Sequence, residues 1–278
     1  MRKKIFNAKS PRTPLLRPRP IGGGGGAESW NTAADWYQGL VGEKGMGLQQ
    51  SIVFPRTKTL LALTRNTSLV DIACGQGAFL RHIVRDCNRA VGIDGAARLI
   101  EFAKHARAAR PITYITGDVT KPLPEQLRGG APFDAASCIL AIQNIEALEP
   151  FVENCAKLVK QKGVLVIVMT HPCFRIPRQS SWGWDEQRKI QYRRIDRYFT
   201  DLKIPIQTHP GARPGHITWT YHRPLSAYIG ALAKAGFHIN ALEEWTTDRI
   251  STPGPRAKAD QRSKQEIPLF LALRAIKQ

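Results

Sequence analysis

The chain has 278 residues, 42% of them hydrophobic, and its 41 Lys and Arg against 22 Asp and Glu give a formal charge of +19. That length and apolar share exclude disorder throughout and allow one large α/β domain with a substantial core. No stretch approaches the roughly 18 to 20 uninterrupted apolar residues of a membrane helix, and the first residues lack the apolar run of a secretory signal, so a soluble protein is expected.

The charge is concentrated in three places: residues 1–20 carry +7, residues 171–223 carry +6 and residues 249–278 carry +5, leaving the rest of the body nearly neutral. A basic chain suits nucleic acid, because Lys and Arg neutralise phosphates and release counterions. It equally suits a solvated surface or an anionic small substrate, and the absence of an RNA-binding motif favours these. Cys74, Cys87, Cys138, Cys155 and Cys173 lack CxxC spacing, and several sit in apolar runs, as reduced buried thiols do. Neither a disulfide framework nor a metal site is expected, and a cytoplasmic home fits best. The acid-free first 27 residues leave nuclear or organellar targeting open, although Pro11, Pro14, Pro18 and Pro20 oppose the amphipathic helix of a transit peptide.

Residues 1–27 read as a disordered basic arm closed by a linker with five consecutive glycines, and folding is expected to begin near Glu28. From Trp30 to Leu63 the spacing of Trp36, Leu40, Leu60, Leu61 and Leu63 predicts two helices, separated by a loop at the glycines 42, 45 and 47 and broken by Pro55. A regular alternation follows. Apolar runs at Leu69–Ala73, Ala90–Ile93, Ile112–Thr116, Ala135–Ala141 and Val164–Met169 read as strands, with helices predicted at Ala78–Cys87, Ala96–Ala109 and Leu148–Val159. Short apolar strands alternating with amphipathic helices predict a doubly wound, mostly parallel sheet. The alternation stops at about 171–223, an insertion rich in Arg, Trp and Tyr and long enough to be a functional lid. It resumes with Pro224 at the first position of a helix reaching Ala235, then strands at Phe237–Leu242 and Ile267–Ala275. Pro253, Gly254 and Pro255 predict a long loop with no useful helix between those last strands, which form an antiparallel hairpin at the sheet edge. One domain over residues 28–278 is expected.

The most informative segment is Leu69-Val-Asp-Ile-Ala-Cys-Gly-Gln-Gly-Ala-Phe79, a buried strand running through a glycine turn into a helix. Gly75 and Gly77 let the backbone approach a ligand, and the helix start offers unpaired N–H groups. Asp94 ends the second strand, where an acid accepts hydrogen bonds from ribose hydroxyls, and Asp118 ends the third, placed for an exocyclic amine such as that of adenine. A NAD site needs a third glycine, and here that position is Leu80.

On these residues the chain resembles the class I S-adenosylmethionine-dependent methyltransferases, especially the small-molecule group that includes ubiquinone-biosynthesis methyltransferases. The resemblance covers roughly residues 30–170 by motif and the final hairpin by topology. It implies a Rossmann-like fold, S-adenosyl-L-methionine as cofactor and methyl transfer as the activity. It further implies that the backbone around Asp71, Ala73, Cys74, Gly75 and Gly77 holds the methionine part, Asp94 the ribose, and Asp118 with Val119 the adenine. Phe133-Asp134 and the run Ser137–Ile145 match the fourth motif, which places Ile139, Leu140 and Gln143 at the sulfonium end; Val159–Val166 matches the turn into the fifth strand. Ala73 stands where many members have glycine.

The same resemblance assigns the acceptor lid to Asp35-Trp36-Tyr37, with Tyr37 on the cofactor and Trp36 on the acceptor, and to the insertion. There His171 is a candidate general base or a turn residue bonded to backbone, and His222 a second candidate base or a cap. Arg175, Arg178, Trp182 and Trp184, with Tyr221, combine cations and rings that suit an anionic aromatic acceptor, the bases of RNA, or a lid that simply buries its indoles. A small-molecule acceptor is expected, an RNA acceptor is the second enzymatic reading, and a module that binds the cofactor without turnover is the third.

Overall fold

The computed structural model describes residues 26–207 and 217–278. The basic arm and most of its glycine linker therefore lie outside the described residues, as does the part of the insertion at 208–216.

The expected alternation is present. Strands β1 (Ser68–Ile72), β2 (Arg89–Asp94), β3 (Thr113–Thr116), β4 (Phe133–Ile139) and β5 (Val159–Thr170) run parallel, with helices α3 (Ala78–Ile83), α4 (Ala97–His105) and α5 (Leu148–Leu158) among them. The chain then returns through α6 (Leu225–Lys234), β10 (Phe237–Trp245) and β11 (Phe270–Lys277). The sheet order is β10-β11-β5-β4-β1-β2-β3, with β11 antiparallel to both neighbours. The fold is thus a Rossmann-like α/β sheet closed by an antiparallel hairpin.

Side chains of a strand alternate between faces, and here both faces are covered. Val70, Ile72, Val91 and Ile93 pack beneath Phe151 and Leu158 of α5 and Tyr228 and Leu232 of α6. Leu69, Ala90, Val166 and Val168 meet Leu80 and Ile83 of α3 on the other side, together with Phe54, Leu60 and Leu61 of α2 (Phe54–Leu61). Burying one such side chain stabilises the fold by about 1.5–3 kcal/mol, so the two layers fix the sheet firmly. The N-terminal helix α1 (Ala27–Val41) docks on α4 through Ala34, Trp30 and Tyr37 against Ala96 and Leu99. Ser68 N and Oγ both donate to Asp134 Oδ2, at 2.7 and 2.6 Å, tying the start of β1 to that of β4.

Several local expectations need correction. Pro55 does not break the second N-terminal helix: a π-helical turn at Gln49–Val53 runs directly into α2, and Pro55 falls in its first turn, where an absent N–H is tolerated. Pro224 caps α6 rather than occupying its first position. A helix, α7 (Ala257–Glu266), does lie between β10 and β11. Only Ser263 of its ten residues is buried, so it has no apolar stripe to reveal it in a sequence; Asp260 and Lys264, paired at 2.6 Å, support it instead.

The insertion contains two hairpins: β6 (Ser180–Asp185) with β7 (Ile190–Ile195), and β8 (Leu202–Gln207) with β9 (Ile217–His222). Asp185 Oδ1 accepts from the N–H groups of Gln187 and Arg188 and closes the first turn. Among the described residues no helix is long and apolar enough to cross a membrane.

Candidate functional site

A cavity of about 480 Å³ opens at the carboxyl ends of β1 to β4, beneath α1. This is the crevice where an open parallel sheet changes the direction of its strand order. The backbone builds its floor. Ala73, Gly75 and Gly77 all take positive φ angles of 57, 56 and 76°, so the chain reverses tightly between β1 and α3. A Cβ at Gly77 would lie 2.2 Å from Tyr114 Oη, so only glycine fits there. Ala73 adopts the left-handed conformation with a side chain, at a cost of about 1 kcal/mol relative to glycine.

Asp94, at the end of β2, joins the turn to the next helix. Its Oδ2 accepts from Gly75 N and its Oδ1 from Ala96 N, both at 2.8 Å. A carboxylate has about four acceptor positions, so these bonds orient the group and leave capacity for a ligand's hydroxyls. Burial raises the Asp94 carboxyl above its ordinary range; the two N–H groups oppose that shift, and the charge of Asp118 adds to it. Asp118 Oδ1 accepts from Thr120 N and Oγ1 at 2.9 and 2.7 Å, which holds the carboxylate at the wall beside Val119. Asp71 is only 2% exposed; Ser137 Oγ donates to its Oδ1 at 2.6 Å. Burial pushes its carboxyl up to about 7, against the Ser137 hydrogen bond and with help from Asp94.

Tyr37 lies over this floor, one ring carbon 3.8 Å from where a Cβ of Gly75 would stand, and Trp30 meets it edge-on at 5.4 Å. Burial drives the Tyr37 phenol up to about 12, so it stays protonated. At the end of β4, Leu140 has φ 54°, a strained conformation for a branched residue, held by a 2.7 Å bond from its N–H to Val168 O. Gln143 braces this turn by donating Nε2 to Leu140 O at 2.7 Å.

The structure brings Tyr37, Asp71, Ala73, Cys74, Gly75, Asp94, Asp118, Val119, Ile139 and Leu140 together on one wall. Gly77 and Gln143 lie behind it, the first under Tyr114 and the second under the Leu140 turn. Sequence reasoning missed Trp30, Gln49, Phe54, Phe79 and Glu146, which also line the cavity. Trp30 stands seven residues before Tyr37, two helical turns along one face, and that spacing was an available signal.

The expected acceptor residues are mostly elsewhere. Trp36 is half-buried on α1 and not on the wall. Arg175 donates to Pro268 O and Ile267 O at 3.1 and 3.2 Å, and its guanidinium and that of Arg193 lie 5.2 and 5.1 Å from the Trp182 ring centre. Trp184 stacks under Arg256 at 4.5 Å, and Arg178 points to solvent. This cluster is packed on its own hairpin and on the segment around α7, away from the cavity.

The two histidines are likewise off the wall. His171 Nδ1 accepts from Cys173 N at 3.2 Å, so its Nε2 donates to Glu244 Oε1 at 2.6 Å. His222 Nε2 bonds Tyr198 O at 2.7 Å. Both imidazoles are pushed below their ordinary value, chiefly by burial. They tie the insertion to the sheet and to itself; for His171 this is the turn role that the sequence allowed beside that of a base, and neither lines the cavity. Tyr221 reaches the rim: its hydroxyl donates to Glu146 Oε2 at 3.0 Å.

Residues 70–167 match the family model described as a methyltransferase domain. Among solved structures, the chain is similar to an S-adenosylmethionine-dependent methyltransferase from Mesorhizobium loti, with 25% identity and a TM-score of 0.64, covering 83% of this chain and all of that one. It is 29% identical over 104 residues to a ubiquinone biosynthesis O-methyltransferase from Pelagibacter ubique, 37% of this chain and 42% of that protein. It is 25% identical over 115 residues to a demethylmenaquinone methyltransferase from Tropheryma whipplei, 41% of this chain and 46% of that protein. The chain thus spans less than half the length of these curated relatives.

Proposed function

From the methyltransferase-domain match over residues 70–167 and the similarity to an S-adenosylmethionine-dependent methyltransferase, we propose that this chain transfers the cofactor's methyl group to a small-molecule acceptor. The carrying observation is Asp94, oriented by the N–H groups of Gly75 and Ala96 at the second strand end, beside a turn that brings backbone within reach of a ligand.

The residues present fit S-adenosylmethionine: Asp94 has acceptor capacity for the ribose hydroxyls, Asp118 and Val119 for the adenine, and the Ala73–Gly75 backbone, roofed by Tyr37, for the methionine part. When bound, the cofactor supplies an electrophilic methyl group on a sulfonium, and the chemistry is an in-line displacement. The protein's part is then to hold the acceptor at about 3 to 3.5 Å and to exclude water. Tyr37, Phe54, Phe79 and Leu140 give the cavity apolar walls suited to that exclusion. Among the described residues no histidine lines the cavity.

The RNA reading has less support. Of the cations in the first hairpin and around α7, Arg188, Lys189, Arg194, Arg256 and Lys264 already pair with Asp or Glu within 4.0 Å. These pairs offset part of the positive charge of that region.

Isothermal calorimetry with S-adenosylmethionine, S-adenosylhomocysteine and NAD in parallel tests the proposal. Saturable binding of the first two and none of NAD is expected. Absence of binding by both sulfur ligands would overturn it.

A further inference from the structure

Beside Glu146 on the cavity lining stands a cluster of which the sequence singled out only Tyr221. In the second hairpin Lys203 pairs with Tyr221 and Pro205 with Trp219, so Lys203, Trp219 and Tyr221 share one face of the ribbon. The Lys203 ammonium stands 5.1 Å from the Trp219 ring centre and 5.5 Å from that of Tyr221, while the Arg223 guanidinium is 5.8 Å from the Tyr221 ring. Glu146, which lines the cavity, connects this cluster to the crevice. Lys203 Nζ lies 3.1 and 3.3 Å from its two carboxylate oxygens, Tyr221 donates to it, and Arg223 Nη2 donates to its backbone carbonyl.

Two imbalances define what the cluster lacks. Within hydrogen-bond reach Lys203 and Arg223 bring two positive charges to one carboxylate, that of Glu146, while Asp201 acts from farther off on Tyr228 and His222. Donors also exceed acceptors: an ammonium has three N–H groups, and Arg223 Nη1 is buried with no hydrogen-bond partner among the described residues. A buried donor left unpaired is unfavourable, and an incoming acceptor atom would offset that cost. Glu146 itself is satisfied; the Lys203 hydrogen bond holds its carboxyl below the ordinary value, so it is neither a vacant site for a cation nor a ready base.

We propose that Lys203 and Arg223, flanked by Trp219 and Tyr221, anchor the carboxylate of an aromatic acid, whose ring then extends past Glu146 toward the Leu140 end of the crevice. This rests on the methyl-transfer reading and adds the acceptor class to it. The rings of the hairpin cover the aromatic portion, and the two cations take the anion by charge-assisted hydrogen bonds.

The test is calorimetry on the full chain saturated with S-adenosylhomocysteine. The probes are benzoate, salicylate, 4-hydroxybenzoate and 3,4-dihydroxybenzoate, each beside its uncharged carboxamide. At least one acid is expected to bind about tenfold or more tightly than its amide at low salt. Lys203→Gln, at an exposed position, should abolish that preference with the thermal melt and S-adenosylhomocysteine affinity unchanged, and Arg223→Gln should weaken it. The proposal is overturned if no acid is preferred over its amide, or if the preference survives both substitutions. Failure of S-adenosylhomocysteine to bind the wild-type chain would instead overturn the methyl-transfer reading, and the anchor with it.

Discussion

The crevice wall and the first hairpin are both built from charged and aromatic side chains, yet one encloses space and the other closes on itself. At the wall, Asp94 and Asp118 are fixed by backbone and hydroxyl donors, and Tyr37 spans the gap above Gly75. In the hairpin, Arg175 and Arg193 both pack on the Trp182 ring, and Arg256 covers Trp184. The difference lies in what the partners are. Carboxylates bonded by one or two donors retain acceptor positions for a ligand, whereas an indole packed by two guanidiniums already has its cation partners within the protein.

Paired substitutions break this comparison most sharply. Asp94→Ala should weaken S-adenosylhomocysteine binding about 100-fold, the equivalent of two hydrogen bonds to a charged group, with circular dichroism unchanged. Trp182→Ala should lower the melting temperature and leave that affinity as it was. Equal losses in the two variants would show that the hairpin belongs to the binding site.

A smaller effect separates the regions by pH. Asp71 ionises near 3.8 when unfolded and near 7 when folded, so its contribution is full below about pH 4 and is lost as pH rises to 7. His171 and His222 have folded values below 6.5, so theirs is present above that pH and lost as pH falls through it. The crevice is therefore weakened by base and the insertion's anchors by acid. Asp71→Asn should match the wild type in urea unfolding at pH 4 and become the more stable of the two by pH 8. A stability difference that does not change with pH would remove the buried carboxyl from the account.

The same contrast explains what was legible in the sequence. Strand ends point into the crevice by geometry alone, so Asp71, Gly75, Asp94 and Asp118, read from their spacing, do line one cavity, whereas Tyr37, Ile139 and Leu140 were implied only by the family resemblance. Composition carries no direction, and the Arg and Trp of the insertion gave no sign of which hairpin faces the cavity. Nothing local distinguishes Lys203-Ile-Pro from any exposed strand; only its pairing with Tyr221 across the residues between them brings it to Glu146. α7 escaped for the opposite reason, having no apolar face to leave a period. Gly77 was read as a ligand contact, whereas its small size serves Tyr114.

The most direct measurement is a crystal structure of the chain with S-adenosylhomocysteine. The account predicts the ribose hydroxyls on Asp94, the adenine beside Asp118 and Val119, and the sulfur between Tyr37 and Leu140. A ligand seated elsewhere, or one that leaves Asp94 bonded only to Gly75 and Ala96, would contradict it.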